Sequence, residues 1–160
     1  MTTLHAYETE VTWTGNLGEG TSHYLAYERD HEVTAAGPPP IAGSADPAFR
    51  GDPERWNPEQ LLLASLSQCH LLWYLHLCSV NEVVVTGYRD RAGAVLSEDG
   101  SGGRMTEAVL RPRVEVADAG MVEKAMALHA DANRACFIAN SVNFPVRHEP
   151  AVSVREAEDS

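Results

Sequence analysis

Three cysteines are the residues with the clearest capacity for chemistry in this 160-residue chain. Cys69 and Cys78 fall in one long apolar segment, and Cys136 lies far from both in the sequence. If the apolar segment is helical, Cys78 lies on the face opposite Cys69 and about 13 Å from it. A disulfide requires Cα atoms within about 7 Å of each other. Cys69 and Cys78 therefore cannot bridge, whereas Cys136 is free to meet either one.

The neighbours of each cysteine favour one pairing. Cys69 lies between the polar residues Gln68 and His70, and Cys78 closes an apolar run. A free cysteine in an apolar helix usually acts as a small buried hydrophobe, which is our interpretation of Cys78. Polar neighbours are unusual at a sealed core position. We therefore favour Cys69 with Cys136 as the working pair.

A reactive thiol also requires a cation that stabilises its thiolate. The helix dipole does not serve, because its effect fades within the first turn and Cys69 lies about three turns into the predicted helix. Arg50 and Arg55 in the preceding loop are the available candidates, and Glu59 could hold an arginine side chain by a bidentate pair. Each also has a simpler interpretation, as a solvated loop arginine or as a first-turn carboxylate.

The seven histidines do not form a recognisable metal motif. Neither the H-x3-H spacing nor the C-x2-C spacing of common zinc sites occurs. His70 and His76 are six residues apart and so point to different faces of a helix. We expect no metal site.

The segment around Cys69 predicts the helix on which the rest of the chain is organised. Asn57 is a favoured N-cap, Pro58 suits the first helical position, Glu59 suits the first turn and Gln60 completes a capping box. The helix should therefore begin at Pro58. Residues 61–77 are apolar at most positions all round, which predicts a helix buried on nearly every side.

The residues before this helix predict a small antiparallel sheet and a loop. Polar and apolar residues alternate over 7–13, and 22–28 and 31–36 are two further strand candidates. Residues 37–55 are rich in proline and glycine, which excludes a helix or a central strand. We expect a loop over the protein surface that brings Arg50 and Arg55 close to the start of the helix.

The residues after the helix predict a second antiparallel sheet. Residues 82–91, a short segment near Val95, and 105–116 have strand-like composition. Residues 101–103, Ser-Gly-Gly, should form a hairpin loop within this sheet.

A second helix and a last strand complete the predicted chain. Asp118 should cap a helix from about Met121 to beyond Arg134, because apolar residues recur there with helical spacing. Residues 144–154 predict a final strand, and residues 156–160 a frayed polar tail. The sum is one α+β domain over residues 1–160, with two sheets and two principal helices.

Composition limits the compartment and the partners. The formal charge of −11 and the absence of a basic cluster among 12 Lys and Arg residues argue against nucleic acid. The first residues lack the pattern of a signal peptide, and we expect no segment apolar enough to span a membrane. An odd, small number of cysteines suits a reducing compartment. We expect a cytoplasmic protein with small or neutral partners.

Two motifs together resemble the OsmC/Ohr family of thiol-dependent hydroperoxide reductases, named for osmotic induction and organic hydroperoxide resistance. They are Asn-Pro-Glu-Gln-Leu at 57–61 followed by Cys69, and the second-helix segment 129–138 around Cys136. The resemblance runs from Trp13 to Pro150. It implies an OsmC-like fold, with two antiparallel sheets around long buried central helices. It also implies an intertwined homodimer with active sites at the subunit interface.

The resemblance implies a role for each candidate site residue. Cys69 matches the peroxidatic cysteine, Cys136 the resolving cysteine, and Glu59 the carboxylate that positions an arginine. Arg50 lies seven residues before the Asn-Pro-Glu motif and is chosen over Arg55 as that arginine. No arginine occurs in the early glycine-rich turn, which places the chain nearer the OsmC branch.

The function implied by the resemblance is a cysteine-based hydroperoxide reductase without metal or organic cofactor. Its substrates would be organic hydroperoxides, with hydrogen peroxide as a second candidate, and its reductant a small dithiol of the lipoyl type. Two alternatives use the same scaffold: a non-catalytic dimeric protein that binds an apolar ligand, and a thiol-based redox sensor. Only the enzyme and the sensor predict a bridge between Cys69 and Cys136 after peroxide treatment.

Overall fold

The computed structural model of the chain describes residues 1–157 and shows an α+β fold, as predicted. The chain divides into two compact units, an N-terminal unit of residues 1–61 and a C-terminal unit that begins at residue 62. Most of the tail predicted to be frayed, residues 158–160, lies outside the described residues.

The N-terminal unit contains the predicted small antiparallel sheet. Its strands lie in the order β1-β2-β3 and are β1 (Glu10–Trp13), β2 (His31–Thr34) and β3 (Ile41–Gly43). The strand β3 and a short 3-10 helix at Pro47–Phe49 both lie in the stretch predicted to be a loop. That prediction was wrong for β3, because an edge strand of three residues tolerates the prolines that precede it.

The strand predicted for residues 22–28 was also wrong, because this stretch forms turns and bends. The guanidinium of Arg29 donates to the carbonyl oxygens of Tyr24 and Tyr27, at 2.9 and 2.6 Å. The Cζ atom of Arg29 lies 4.5 Å from the ring centre of Tyr24 and 4.0 Å from that of Tyr27. The arginine thereby uses backbone acceptors that a continuous strand would offer to a neighbouring strand.

The first long helix, α1 (Pro58–Val80), begins where the capping residues predict. The backbone N–H of Gln60 donates to Asn57 Oδ1 at 2.8 Å, and the backbone N–H of Asn57 donates to Gln60 Oε1 at 3.1 Å. This reciprocal pair is a capping box, which satisfies two backbone donors that a helix start otherwise leaves open.

Within the single chain, α1 is not buried on nearly every side, whereas the sequence had predicted that it would be. Its buried residues form one stripe with a spacing of four: Leu66, His70, Tyr74 and Cys78. Apolar side chains outside the stripe are open, and Leu72 and Val80 are 63% and 62% exposed. By length and composition alone α1 also reaches what a membrane span requires, contrary to expectation, although the core helix of a soluble protein can meet the same two measures.

Two further three-stranded sheets lie in the C-terminal unit, where a single sheet was predicted. One has the order β4-β7-β9 and the other β5-β6-β8. The strands are β4 (Val85–Asp90), β5 (Gly93–Glu98), β6 (Gly103–Leu110), β7 (Pro112–Val116), β8 (Val146–His148) and β9 (Ala151–Val154). The β5–β6 hairpin turns at residues 99–102, which overlap the predicted loop at 101–103, whereas Gly103 already belongs to β6. β6 pairs with β8 and β7 with β9 in parallel.

Two predicted strands are each divided in the structure. The first strand is interrupted at Arg111, between β6 and β7, and the second at Glu149-Pro150, between β8 and β9. Proline lacks the N–H that a strand interior requires and is tolerated at the first position of a strand, where Pro112 lies. Each division places the two halves in different sheets, which joins the sheets to each other.

The second long helix, α2 (Val122–Ala135), confirms the predicted span. Asp118 accepts a hydrogen bond from the backbone N–H of Gly120 at 2.7 Å and caps the 3-10 turn that leads into α2. The core of the C-terminal unit lies between α1, α2 and the β4-β7-β9 sheet. Its buried members are Tyr74, Cys78, Val83, Val114, Val116, Ala125, Leu128 and Ala132.

Candidate active site

The structure brings Cys69 and Cys136 together and leaves Cys78 apart. Cys69 is half-buried on α1, and Cys136 is buried directly after the last residue of α2. The thiol of Cys136 adjoins that of Cys69. The thiol of Cys78 instead adjoins the hydroxyl of Tyr74, and burial raises its pKa. Cys78 is therefore part of the core.

Cys136 is held by the backbone that follows it. Its φ and ψ angles of −62° and 114° end α2, and the N–H of Ala139 donates to its Sγ at 3.4 Å. Burial raises the pKa of Cys136 to about 11; the Ala139 N–H opposes this rise and the neighbouring Cys69 thiol adds to it. Cys136 is consequently a neutral thiol near pH 7. Such a thiol reacts slowly with peroxide, because the nucleophile is the thiolate.

An apolar recess lies on the surface of α1. It has a volume of about 190 Å³ and is lined by Leu72, Trp73 and His76. These residues lie three, four and seven positions after Cys69, so they share its helix face. Phe137, which follows Cys136, packs edge-on against Trp73 with ring centres 5.3 Å apart. An apolar molecule bound in this recess would lie alongside the helix face that carries Cys69.

The two predicted arginines differ in whether their charge is already paired. Arg55 Nε lies 3.1 Å from Asp30 and 3.7 Å from Asp52. Arg50 is exposed and has a left-handed backbone with φ of 66°, and its Cζ lies 5.9 Å from the ring centre of Tyr24. Within residues 1–157, Arg50 has no carboxylate within salt-bridge distance. Its guanidinium is therefore the more available of the two.

Glu59 has an unused carboxylate oxygen. Its Oε2 is buried and accepts no hydrogen bond from the part of the chain that the structure describes. A buried carboxylate oxygen without a donor is costly, so this atom is a ready acceptor for a guanidinium. Glu59 and Arg50 belong to the N-terminal unit and the two thiols to the C-terminal unit. Their assignment to the environment of Cys69 stays a prediction.

Sequence reasoning missed a pair of buried histidines. His70 Nε2 lies 3.0 Å from His129 Nδ1, and neither residue has any exposed surface. The ring of Tyr74 stacks on that of His129 with ring centres 3.9 Å apart, and the ring centres of His148 and His70 are 5.9 Å apart. The two partners are 59 residues apart, so no spacing rule reveals them. The one available signal was a polar residue next to Cys69 in an apolar helix.

The histidine pair is neutral near pH 7. Burial is the main cause that lowers the pKa of His70 to about 4 and that of His129 to about 3. The charge of His148 acts in the same direction on both, and Asp90 opposes it at His70. Across residues 1–157, no group of three or more His, Cys, Asp or Glu side chains is arranged to hold a metal ion.

Family comparison covers the segment that carries this site. A sequence model of the OsmC-like protein family matches residues 51–150, which include the N-cap of α1, both neighbouring thiols and the histidine pair. The chain belongs to the OsmC-like family. The resemblance inferred from the two motifs is thereby confirmed. No curated protein matches this OsmC-like sequence.

Solved structures support the same fold for this OsmC-like protein. An OsmC-like protein of unknown function from Vibrio cholerae has a TM-score of 0.83 and 29% identity, covering 92% of this chain and all of that one. An organic hydroperoxide resistance protein from Elizabethkingia anophelis has a TM-score of 0.70 and 17% identity over 97% of this chain and all of that one. An organic hydroperoxide resistance protein named OsmC from Legionella pneumophila has a TM-score of 0.67 and 19% identity over 96% of this chain and all of that one.

Proposed function

We propose that this OsmC-like protein is a cysteine-based hydroperoxide reductase that acts on organic hydroperoxides through two cysteines. The observation that carries the proposal is the adjacency of the half-buried Cys69 thiol on α1 and the buried Cys136 thiol at the end of α2. Membership of the OsmC-like family supports it, as do structural relatives named organic hydroperoxide resistance proteins.

Cys69 takes the first step. Its thiolate attacks the terminal oxygen of the hydroperoxide, the O–O bond breaks, and the alkoxide takes up a proton and leaves as an alcohol. Cys69 becomes a sulfenic acid. Arg50 supplies the cation that stabilises the thiolate, and Glu59 orients its guanidinium. Within residues 1–157, Arg50 makes no ion pair and Glu59 Oε2 accepts no hydrogen bond, which supports these roles.

Cys136 takes the second step. Its sulfur attacks the sulfenic sulfur of Cys69, an S–S bond forms, and the hydroxyl leaves as water with the thiol proton. A small external dithiol of the lipoyl type then restores both thiols by two exchanges and becomes a cyclic disulfide. The raised pKa of Cys136 suits this order of events, because a neutral buried thiol is spared by peroxide until Cys69 has reacted.

The open apolar face of α1 supports a homodimer. Leu75 and Val80 are exposed on this helix, and exposed apolar surface on a soluble protein often marks an interface. In this proposal the partner subunit covers part of α1 while the recess beside Trp73 stays open to peroxide. The three unbridged cysteines suit a reducing compartment, and we place the protein in the cytoplasm.

The test is the free-thiol count and intact mass after one equivalent of an organic hydroperoxide, compared with hydrogen peroxide. The wild type should lose two thiols and about two mass units, which is the signature of one disulfide. Cys69→Ser should lose none, and the matched control Cys78→Ser should behave as the wild type. Thiols that react no faster than free cysteine, with no bridge, would instead favour a protein that binds an apolar ligand in the recess.

A further inference from the structure

The contacts between α1 and α2 follow one another in antiparallel order within the C-terminal unit. The Cys69 thiol meets the Cys136 thiol, His70 meets His129, and the Tyr74 hydroxyl donates to the carbonyl oxygen of Ala125 at 2.9 Å. The histidine pair therefore comes next after the thiol pair in this order of contacts.

The spacing of these residues links the two pairs mechanically. His70 follows Cys69 in the chain, and His129 precedes Cys136, the residue that ends α2, by seven residues or about two helical turns. A fixed contact between the two imidazoles therefore fixes the axial register of α1 relative to α2. A register slip by a single residue would move the thiols about 1.5 Å along the helix axis.

The histidine pair is not the best choice for stability alone. His70 Nδ1 and His129 Nε2 are buried without a hydrogen-bond partner in residues 1–157. A buried polar group without a partner destabilises the folded protein, whereas a pair of apolar residues of the same shape at such a place is often neutral or stabilising. What the imidazoles add is one directional N–H···N bond, which has a defined length and angle, whereas apolar surfaces can slide.

We propose that the His70–His129 pair is a positioning device that sets the register of α1 against α2 so that Cys136 can close onto the Cys69 sulfenic acid. The inference rests on the proposed two-cysteine function and extends it to residues outside the reacting atoms. Disulfide closure needs Cβ atoms about 3.5–4.5 Å apart, so it is sensitive to a register error that the first oxidation tolerates. The pair consequently acts on the second step and not on the first.

Two double variants separate hydrogen bonding from packing. The apolar double variant, His70→Leu with His129→Leu, fills the site without a hydrogen bond. The amide double variant, His70→Gln with His129→Asn, places amide groups where the bonded nitrogens Nε2 and Nδ1 lie and so can restore the bond. His148→Leu is the matched control, because it removes a neighbouring imidazole that does not take part in the N···N bond.

The measurements are the rate of Cys69 sulfenic acid formation, followed with a 1,3-diketone trap, and the rate of disulfide closure after one equivalent of hydroperoxide. In the apolar double variant the first rate should stay within about twofold, and closure should slow by about 10- to 100-fold, as expected for a misplacement of about 1 Å. Excess peroxide should then convert Cys69 to sulfinic acid. The amide double variant should recover most of the closure rate, and His148→Leu should match the wild type.

The outcomes distinguish this inference from the proposed function. If the wild type forms neither sulfenic acid nor disulfide, the proposed function fails. If the wild type closes and the apolar double variant closes equally fast, the positioning role is wrong and the function stands. Equal slowing of both steps without rescue by the amides would show a structural role only. If the apolar double variant does not fold, His129→Leu and His129→Asn are compared in its place by the same criteria.

Discussion

The buried histidine pair should make the stability of the protein depend steeply on pH between 7 and 5. An unfolded histidine has a pKa near 6.5, whereas burial lowers the pKa of His70 to about 4 and that of His129 to about 3. Below pH 6.5 these two histidines therefore bind protons in the unfolded chain but stay neutral in the folded chain. The stability that these two residues confer is present above pH 6.5 and is lost as the pH falls toward their folded pKa values.

The magnitude follows from the distance between pH 5 and the unfolded pKa. Each pH unit below 6.5 costs about 1.4 kcal/mol for each histidine that stays neutral when folded, so pH 5 costs about 2 kcal/mol for each and about 4 kcal/mol for the pair. This figure depends little on the folded pKa values as long as both stay well below 5. A loss of this size is a large fraction of the free energy of unfolding of an ordinary domain.

Burial of the pair sets the sign of this pH dependence, and the tyrosines near the pair do not titrate between pH 7 and 5. Tyr74 and Tyr88 stay neutral, because burial raises the pKa of both. The carboxylate of Asp90 is engaged by the hydroxyl of Ser67 at 2.5 Å and by the backbone N–H of Arg111 at 2.6 Å. His148 adds to the acid sensitivity, because burial lowers its pKa as well.

The assay is urea unfolding at pH 7 and pH 5 on the wild type and on His70→Leu with His129→Leu. The wild type should lose about 4 kcal/mol more than the double variant between the two pH values, with unchanged dependence on urea concentration. The other titrating groups are shared, so they cancel in this comparison. Equal losses in the two proteins would refute the argument that the pair is buried in its neutral form.

Three further predictions concern the proposed reaction. Cys136→Ser should lose one thiol with one equivalent of hydroperoxide, stop at sulfenic acid and gain sulfinic acid with excess peroxide, as read by intact mass. Arg50→Ala should slow the first oxidation by about 100-fold, the scale of one lost electrostatic stabiliser, and Arg55→Ala much less, as read by stopped-flow kinetics. Phe137→Ala should raise KM for an aromatic hydroperoxide by about tenfold and leave hydrogen peroxide unaffected, since it removes apolar contact area beside the recess.

Features encoded by neighbouring residues could be predicted from the sequence. The start of α1 at Pro58 and the span of α2 follow from capping residues and helical spacing, and both were confirmed. Helix geometry alone also excluded a bridge from Cys69 to Cys78. These inferences succeed because the information lies within a few turns of one element.

Features that depend on distant partners could not be predicted. The division of the second sheet into two comes from parallel pairings of β6 with β8 and β7 with β9, and strand composition does not specify a partner. The histidine pair joins residues on separate helices. The turn at residues 22–28 was not predicted, because composition alone favoured a strand and the hydrogen bonds from Arg29 to the backbone there are not visible in the sequence.

The placement of the thiols on two helices couples peroxide exposure to chain entropy. A bridge between Cys69 and Cys136 would close a loop of 136 − 69 = 67 residues. Closing a loop of that length removes conformational freedom from the unfolded chain and is worth about 4 kcal/mol in the loop-entropy account. Oxidised protein should therefore melt well above reduced protein. Peroxide would thus raise the thermal stability of the protein transiently during oxidative stress, and the reductant would return it to the less stable reduced form.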